Sequence, residues 1–235
     1  MDEVLSIVDE TIHARRQLLI GVVNAGKMVN MKRDPSLGRA VLSSDMILAD
    51  GIAVVWACRF LGRYLPERVP GIDLMHHVLE RSRQRRYRVY CLGATEEVLL
   101  EAVERIRVDY PGVVIAGQRN GYFDEGEEPQ IAEAIRLSRP DVLFVAMSSP
   151  KKEQFLGRWA GEMGVPICHG VGGAFDVLAG KVQRAPKLWR RLGLEWLYRI
   201  VQEPRRMWRR YLVTNTLFCW MLVRELVSGF RSRSA

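Results

Sequence analysis

The feature that most constrains the fold is the alternation of short apolar runs with longer amphipathic segments over the first three quarters of the chain. Apolar runs with the length of buried strands lie at 18–23, 46–48, 88–92, 113–116, 141–147 and 166–169. Segments with helical periodicity lie between several of them, at 96–110, 129–137 and 151–163. Strands that alternate with helices of this length form a parallel sheet with helices on both faces. The sequence therefore predicts an α/β fold.

Positive charge is concentrated in the last part of the chain. The 235 residues carry a net charge of +8, and residues 181–235 hold 13 Lys and Arg against three acidic side chains. The remainder is nearly neutral, with 22 basic and 24 acidic residues. A strongly basic segment attracts an anionic partner, which can be nucleic acid, a phosphorylated ligand or an anionic membrane surface.

The basic segment is also predicted to be helical and distinct from the α/β body. We place the boundary after Pro186, giving a body at 1–186 and an appendage at 187–235. Helical patterns cover 192–201 and 205–223, with Pro204 between them. The mostly apolar stretch 211–223 would extend about 20 Å as a helix, against a hydrocarbon core of roughly 30 Å. It can lie on a membrane, pack on the body or join copies of the chain, so a homo-oligomer stays open.

Cysteine usage and the first residues point to a reducing, cytoplasmic setting. The four cysteines are far apart and form no C-x-x-C pair, which argues against a disulfide scaffold and a zinc module. The acidic, polar N-terminal stretch does not look like a signal peptide. No run of 18 apolar residues exists, so we expect no transmembrane helix.

Two loops that follow the predicted strands carry a candidate base and a candidate phosphate site. Ligands of parallel sheets bind beyond the carboxyl ends of the strands. Asp50 lies there beside Gly51, where a carboxylate can act as a general base, although a turn aspartate is the common alternative. Gly93 and Ala94 precede a helix whose N-terminus can bind phosphate, but so short a turn is weak support.

Two further loops suggest an anionic ligand. In 148–153, serine and proline are good helix starters, yet Lys151 and Lys152 in the first turn oppose the helix dipole, which favours a bound anion. In 170–176, glycines at three of the first four positions allow the backbone to approach a ligand such as a diphosphate closely.

Several absent motifs narrow the chemistry. The sequence contains no D-x-D triplet, no H-E-x-x-H and no G-x-S-x-G, and its four histidines have no ligand-like spacing. We therefore expect neither a metal nor another cofactor.

Taken together, the motifs resemble those of the WecG/TagA/CpsF glycosyltransferase family over nearly the whole chain. Asn24 follows the first strand and is part of the resemblance. The other matching pieces are A-D-G-I-A-V-V at 49–55, P-E-R-V-P-G-I-D-L at 66–74, L-G-A-T at 92–95, N-G-Y-F at 120–123, S-P-K-K-E at 149–153, G-V-G-G-A-F-D-V-L-A-G-K-V-Q-R-A-P at 170–186 and L-E-W-L-Y-R-I-V-Q-E-P-R-R at 194–206. Each piece is weak alone, and their order and spacing make the resemblance specific.

The resemblance implies a Rossmann-like body and an appendage that docks on the membrane. It also implies inverting transfer of a sugar from a UDP-sugar to a polyprenyl-diphosphate-linked sugar at the cytoplasmic membrane face. The sugar would be of the N-acetylmannosamine type, or a related hexose or uronic acid. Such a peripheral enzyme would serve the biosynthesis of a cell-surface polysaccharide, such as an exopolysaccharide or a polymer of the teichoic acid kind.

The resemblance also assigns roles to individual residues. Asp50 matches the catalytic base and Arg68 an arginine of the active-site pocket. The arginines expected to hold the acceptor diphosphate are Arg199, Arg206 and Arg209. The expected donor-binding residues are Asn24, Gly93, Ala94, Lys152, Gly170, Gly172, Gly173 and Asp176. Two positions depart from the better-known members, Val22 in place of threonine and Lys152 in place of glutamine, which leaves the identity of the sugar open.

Two other functions compete with this interpretation. A nucleic-acid-binding protein would use the basic tail, but tryptophans at helical spacing among the arginines suit a lipid interface better. A nucleotide-sugar-binding protein without catalysis would not need the carboxylate of Asp50. We therefore expect an enzyme with no nucleic-acid partner.

Overall fold

A computed structural model describes residues 1–233, and for residues 191, 206, 210 and 229–233 it describes the backbone alone. The strands are β1 (Leu18–Val23), β2 (Met46–Ala49), β3 (Arg88–Gly93), β4 (Val114–Arg119), β5 (Val142–Ala146) and β6 (Ile167–Gly170). The helices are α1 (Asp2–His13), α2 (Ala25–Arg33), α3 (Pro35–Leu42), α4 (Ile52–Phe60), α5 (Gly71–Arg85), α6 (Glu96–Asp109), α7 (Glu128–Ser138), α8 (Lys151–Met163), α9 (Ala174–Leu178), α10 (Lys187–Arg191), α11 (Glu195–Gln202) and α12 (Pro204–Arg233).

The six strands form one parallel sheet in the order β2-β1-β6-β5-β3-β4, flanked by helices. Leu18 of β1 pairs with Ile167 of β6, and Val142 of β5 pairs with both Ile167 and Val89 of β3. Each of the six predicted strands is present, and the predicted α/β fold is confirmed. Because the strands run parallel, the loops after them leave from the same edge of the sheet.

The burial of the strands follows their place in the sheet. Every residue of β5 is buried, as expected for a continuous apolar strand covered on both faces, whereas every residue of the edge strand β4 is half-buried. Helices α7 and α8 cover one part of the core, where Phe155, Ile135 and Leu156 pack against Leu143 and Val145. Burial of this apolar area supplies the main stabilisation of the sheet.

The described chain divides into two compact units, each built from separate stretches. The sheet unit comprises 1–22, 39–48 and 70–183, and the basic unit comprises 23–38, 49–69 and 184–235. By sequence the sheet unit has 17 basic and 21 acidic residues, whereas the basic unit has 18 basic and 6 acidic residues. The predicted boundary at 186 stays a prediction.

The helices of the basic unit differ in part from the prediction. The helix expected at 192–201 is wrong in its extent, because α10 and α11 are separated by a turn at Gly193. Gly193 has a φ of +72°, and a Cβ there would lie 2.3 Å from a side-chain carbon of Ile52, so only glycine fits. The predicted interruption at Pro204 is confirmed, and α12 runs ten residues past the predicted end, to Arg233.

A small apolar core holds the long C-terminal helix in the basic unit. Phe218 of α12 is buried with Val29 of α2 and Ala57 of α4. Partly buried apolar residues around them are Ala25, Met28, Ala53, Leu217, Met221 and Leu222. One face of α12 is therefore packed on the two short helices that follow β1 and β2.

Candidate active site

The candidate base, Asp50, lies in a short connection that is held on both sides by backbone hydrogen bonds. Its N–H donates to the carbonyl of Val23 at 2.9 Å, and the carbonyl of the preceding Ala49 accepts from Val69 N–H at 2.8 Å. Asp50 is half-buried and stands immediately before Gly51, the N-cap residue of α4. The positive end of that helix favours a carboxylate at this position.

The side chain of Asn24 contacts this carboxylate. Its side-chain amide donates to Oδ2 of Asp50 at 3.5 Å, a long hydrogen bond, while its Oδ1 accepts from Lys27 N–H at 3.0 Å as the N-cap of α2. Because the cap fixes the oxygen, the amide nitrogen must face Asp50. The two residues that the resemblance marked after β1 and β2 are thus brought together.

Arg68 has structural partners in the basic unit. One guanidinium nitrogen bonds to Glu195 of α11 at 2.6 Å, and the other donates to the carbonyl of Arg190 at 2.7 Å. The side chains of this ion pair are only 19% and 29% exposed. Arg68 therefore ties the segment that follows α4 to α10 and α11, a role that the sequence did not reveal.

The three arginines expected to hold the acceptor diphosphate do not lie on one continuous helix. Arg199 is exposed on α11, which ends at Gln202, and Arg209 is exposed on α12 with its guanidinium 5.3 Å from the ring centre of Trp208. Arg206 is in the first turns of α12, but its side chain lies outside the described residues. A shared role of the three in diphosphate binding stays a prediction.

The face of α12 opposite its packed side is apolar and exposed. Its large side chains recur at helical spacing: Trp208, Leu212, Trp220, Val223 and Val227 are 46–59% exposed. We call these five residues the α12 stripe. Among residues 1–233, no helix combines the length and the apolar character needed to cross a bilayer.

In the sheet unit, the loops after β3, β4 and β5 are joined by backbone hydrogen bonds. Ala94 N–H donates to the Ala146 carbonyl at 2.8 Å, and Gly121 N–H donates to the Ala94 carbonyl at 2.9 Å. Gly93 has a φ of +128°, and a Cβ there would lie 2.3 Å from the Ala146 oxygen, so glycine is required. The two candidate donor residues Gly93 and Ala94 thus lie in a fixed turn, and both backbone polar groups of Ala94 are already used.

Lys151 has a different role from the one expected of it. Its ammonium group donates to the carbonyls of Gly121 and Phe123, at 3.0 and 2.7 Å, and stands 4.0 Å from the centre of the Phe123 ring. These contacts account for a lysine in the first turn of α8 without a bound anion. Lys151 therefore holds the N-G-Y-F loop, and the anionic ligand expected at 148–153 stays a prediction that depends on Lys152.

Lys152 is buried next to the glycine-rich loop. Its ammonium nitrogen lies 2.9 Å from Oε1 of Glu153, and both side chains are 9% exposed. A Cβ on Gly170, at the end of β6, would lie 3.1 Å from the Lys152 chain, so the aliphatic part of the lysine covers this glycine. Burying a lysine costs free energy even when it is paired. Lys152 is therefore a candidate functional residue and not only a source of surface charge.

The rest of the glycine-rich loop is more open. Gly172 has a φ of +57° with no atom within 4 Å of a Cβ placed on it. Gly173 precedes the five-residue helix α9, and Oδ2 of Asp176 lies 3.4 Å from a Cβ placed on Gly173. The predicted donor contacts of Gly170, Gly172, Gly173 and Asp176 stay predictions.

The cysteines differ between the units. Cys91 and Cys168 of the sheet unit are buried, and burial raises the pKa of each thiol to about 12. In the basic unit, Cys58 is half-buried and Cys219 is exposed.

Across the described residues, no group of three or more His, Cys, Asp or Glu side chains is placed to hold a metal ion.

Comparison with known proteins supplies the family. The model of the glycosyl transferase WecG/TagA/CpsF family matches residues 1–232. An N-acetylglucosaminyldiphosphoundecaprenol N-acetyl-beta-D-mannosaminyltransferase from Bacillus spizizenii is 41% identical over 174 residues, which are 74% of this chain and 66% of that protein. The match therefore spans slightly less than two thirds of that relative's length.

A second relative extends the match. A protein of the same name from Bacillus subtilis strain 168 is 33% identical over 205 residues, which are 87% of this chain and 77% of the relative. The aligned length, together with the family model that covers both units, confirms the resemblance seen in the sequence motifs. This chain belongs to the WecG/TagA/CpsF family of glycosyl transferases.

Proposed function

We propose that this protein is an inverting glycosyltransferase that moves a sugar from a UDP-sugar to a polyprenyl-diphosphate-linked sugar at the cytoplasmic face of the membrane. The observation that carries the proposal is the family match over residues 1–232, supported by two relatives whose names specify transfer of N-acetylmannosamine to N-acetylglucosaminyl-diphosphoundecaprenol. The donor sugar is of the N-acetylmannosamine type or a related hexose or uronic acid.

Asp50 is the proposed general base. In an inverting transfer the acceptor hydroxyl oxygen forms a bond to the anomeric carbon while the bond from that carbon to the UDP oxygen breaks. The hydroxyl proton must leave at the same time, and a carboxylate can accept it. The short hydrogen-bonded connection around Asp50, with the Asn24 amide beside its Oδ2, supports this role because it limits the positions of the carboxylate.

The departing UDP carries the electron pair of the broken bond and needs positive partners. Without a D-x-D motif, backbone N–H groups and cationic side chains must supply them. In the sheet unit we assign donor binding to the turn at Gly93, the glycine-rich loop and Lys152. In the basic unit we assign the acceptor diphosphate to Arg199, Arg206 and Arg209, and we assign Arg68 the positioning of α10 and α11.

The basic unit also provides the membrane contact. A polyprenyl chain stays in the bilayer, so the enzyme must come to the surface. The α12 stripe with Arg209 and Arg224 on the same helix has the composition of an interfacial amphipathic helix, and the unit's excess of positive charge attracts anionic lipid.

A donor screen tests the proposal. Purified protein is incubated with a short-chain N-acetylglucosaminyl-diphospholipid and each of several UDP-sugars, and the lipid product is identified by mass spectrometry. We expect one extra hexosamine, hexose or uronic acid residue from a preferred donor, and product formed about a hundredfold or more slowly with Asp50→Asn. If the protein binds a UDP-sugar but yields no product with any donor, it is a non-catalytic nucleotide-sugar-binding protein.

A further inference from the structure

A second exposed aromatic surface lies in the basic unit, on α4 and the residues after it. Trp56 and Phe60 are one turn apart on α4 and are 51% and 67% exposed, and Tyr64 is 86% exposed. We call these three residues together with Arg59 and Arg63 the α4 patch. Large aromatic side chains are usually buried, so three of them exposed within nine residues mark an interaction surface.

The α4 patch is on the side of the helix that the protein core leaves uncovered. Val54, Val55 and Ala57 are buried, at 5%, 1% and 7% exposure. Ala57 also lies in the apolar cluster that holds Phe218 of α12. The helix is thus fixed by its buried residues, and Trp56 and Phe60 are not needed to hold it in place.

The charge of the α4 patch selects its partner. Arg59 and Arg63 are both exposed, and residues 51–66 contain no acidic side chain. Exposed aromatic rings beside arginines match the border between lipid headgroups and acyl chains, where rings insert and guanidinium groups bind phosphate. Aromatic residues and arginine are also enriched at protein–protein interfaces, and the sedimentation experiment below decides that alternative.

We propose that the α4 patch is a second lipid-contacting surface, specific for anionic lipid, that acts in addition to the α12 stripe. The inference rests on the proposed function only in that a lipid-linked acceptor requires the protein at the membrane. The two surfaces belong to the same compact unit, and each combines exposed apolar side chains with arginines.

The first test measures binding of the full chain to vesicles, with no sugar substrate present. Trp56→Ser/Phe60→Ser is compared with wild type on vesicles of phosphatidylglycerol and phosphatidylcholine by flotation. We expect the partition coefficient to fall by about tenfold to a hundredfold, on the scale of losing two partly inserted aromatic side chains. Leu100→Ser/Leu137→Ser, a matched pair of exposed residues in the sheet unit, should leave binding unchanged.

The arginines are tested separately. Arg59→Gln/Arg63→Gln should weaken binding to the anionic vesicles by roughly tenfold. On vesicles of phosphatidylcholine alone, the same variant and wild type should bind equally. Equal binding of wild type and both α4 patch variants to anionic vesicles would overturn the proposal.

A dye-labelled protein tests the same contact on protein that is bound to vesicles, so the result does not depend on variants that fail to fold. In a Cys58→Ser/Cys219→Ser background, Phe60→Cys carries an environment-sensitive dye, and Leu137→Cys carries it as the control. Anionic vesicles should shift the emission of the dye at residue 60 to shorter wavelength and leave that at 137 unchanged. An unshifted dye at residue 60 on vesicle-bound protein would contradict the proposal.

Sedimentation velocity without lipid tests the other occupant, a second copy of this chain. If Trp56→Ser/Phe60→Ser converts an oligomer to a monomer and keeps vesicle binding, the α4 patch is a subunit interface and the proposal is wrong. Vesicle binding through the patch without sugar transfer would leave this inference intact and refute the proposed activity instead.

Discussion

Each of the two units has a buried apolar core, but their surfaces differ in net charge and in the number of exposed apolar side chains. The sheet unit is slightly acidic, and it has 6 of the 19 large apolar side chains exposed in the described part of the chain. The basic unit is the smaller of the two, yet it has a net charge of +12 and the other 13 of those side chains. Apolar exposure together with positive charge is typical of a lipid interface. We therefore propose the basic unit, and not the sheet unit, as the part of the chain that contacts the membrane.

The rate of cysteine modification should show the largest difference between the two units. A thiol with a pKa of about 12 holds very little thiolate near pH 8, and Cys91 and Cys168 are also inaccessible. We expect dithionitrobenzoate to modify Cys219 and Cys58 of the native protein at least about 10³-fold faster than the sheet unit thiols. Four equally reactive thiols before unfolding would show that the sheet unit is less compact than described.

Asp50→Asn should have the next largest effect. Loss of a general base lowers turnover by about 10²-fold or more, with little change in UDP-sugar binding. The assay is the initial rate of transfer to a short-chain acceptor, together with the dissociation constant for the donor. Asp2→Asn, an exposed aspartate at the start of α1, is the control. Normal turnover of Asp50→Asn would remove this residue from catalysis.

The α12 stripe offers a way to weaken membrane binding without disturbing the packed face of α12. Deleting the tail would remove Phe218 from its cluster with Val29 and Ala57, so truncation confounds folding with docking. Leu212→Gln/Val223→Gln should instead lower vesicle partitioning by about tenfold to a hundredfold while the melting temperature stays nearly constant. A melting temperature that falls along with binding would mean that the α12 stripe is structural.

Arg68 should show a smaller effect that reveals which role it has. Arg68→Ala removes the ion pair with Glu195 and the bond to the Arg190 carbonyl, at a cost of about 1–3 kcal/mol in unfolding free energy. Glu195→Gln removes only the ion pair. If Arg68 positions α10 and α11, the two variants should lose activity in proportion to their loss of stability. A large loss of turnover in Arg68→Ala alone would place its guanidinium against the substrate.

Removal of divalent metal should have the smallest effect. The donor site is assigned to backbone N–H groups and cationic side chains, since the sequence has no D-x-D motif. We expect the rate of transfer to be unchanged in excess chelator. Loss of transfer in chelator with recovery on addition of Mg²⁺ or Mn²⁺ would contradict this assignment.

The fold of the sheet unit could be predicted from sequence because its strands are short apolar runs, and several of the helices between them have a clear helical periodicity. The helix predicted at 151–163 coincides with α8, and the run at 18–23 coincides with β1. The helices α2 and α4 escaped prediction because α2 has only nine residues of mixed polarity and α4 is almost wholly apolar, so neither has a clear amphipathic pattern.

The candidate site was predictable only in its local parts. Asp50 was found because it directly follows a strand, Asn24 was marked by the family resemblance, and the structure brings the two together. The pairing of Arg68 with Glu195 joins residues 127 positions apart, and no local pattern could indicate it. Lys151 was misinterpreted because its carbonyl partners, at Gly121 and Phe123, are distant in sequence and its own helix gave only the dipole argument.

We propose above that the basic unit brings the active site to lipid-linked acceptor at the membrane surface. The decisive measurement is the rate of sugar transfer to acceptor embedded in vesicles as the fraction of phosphatidylglycerol is raised, beside the rate for a short-chain acceptor in solution. We predict that the vesicle rate rises steeply with anionic lipid and falls with added salt, while the rate in solution does not depend on lipid. Equal vesicle rates on neutral and anionic lipid would contradict a role of the basic unit in bringing the active site to the membrane.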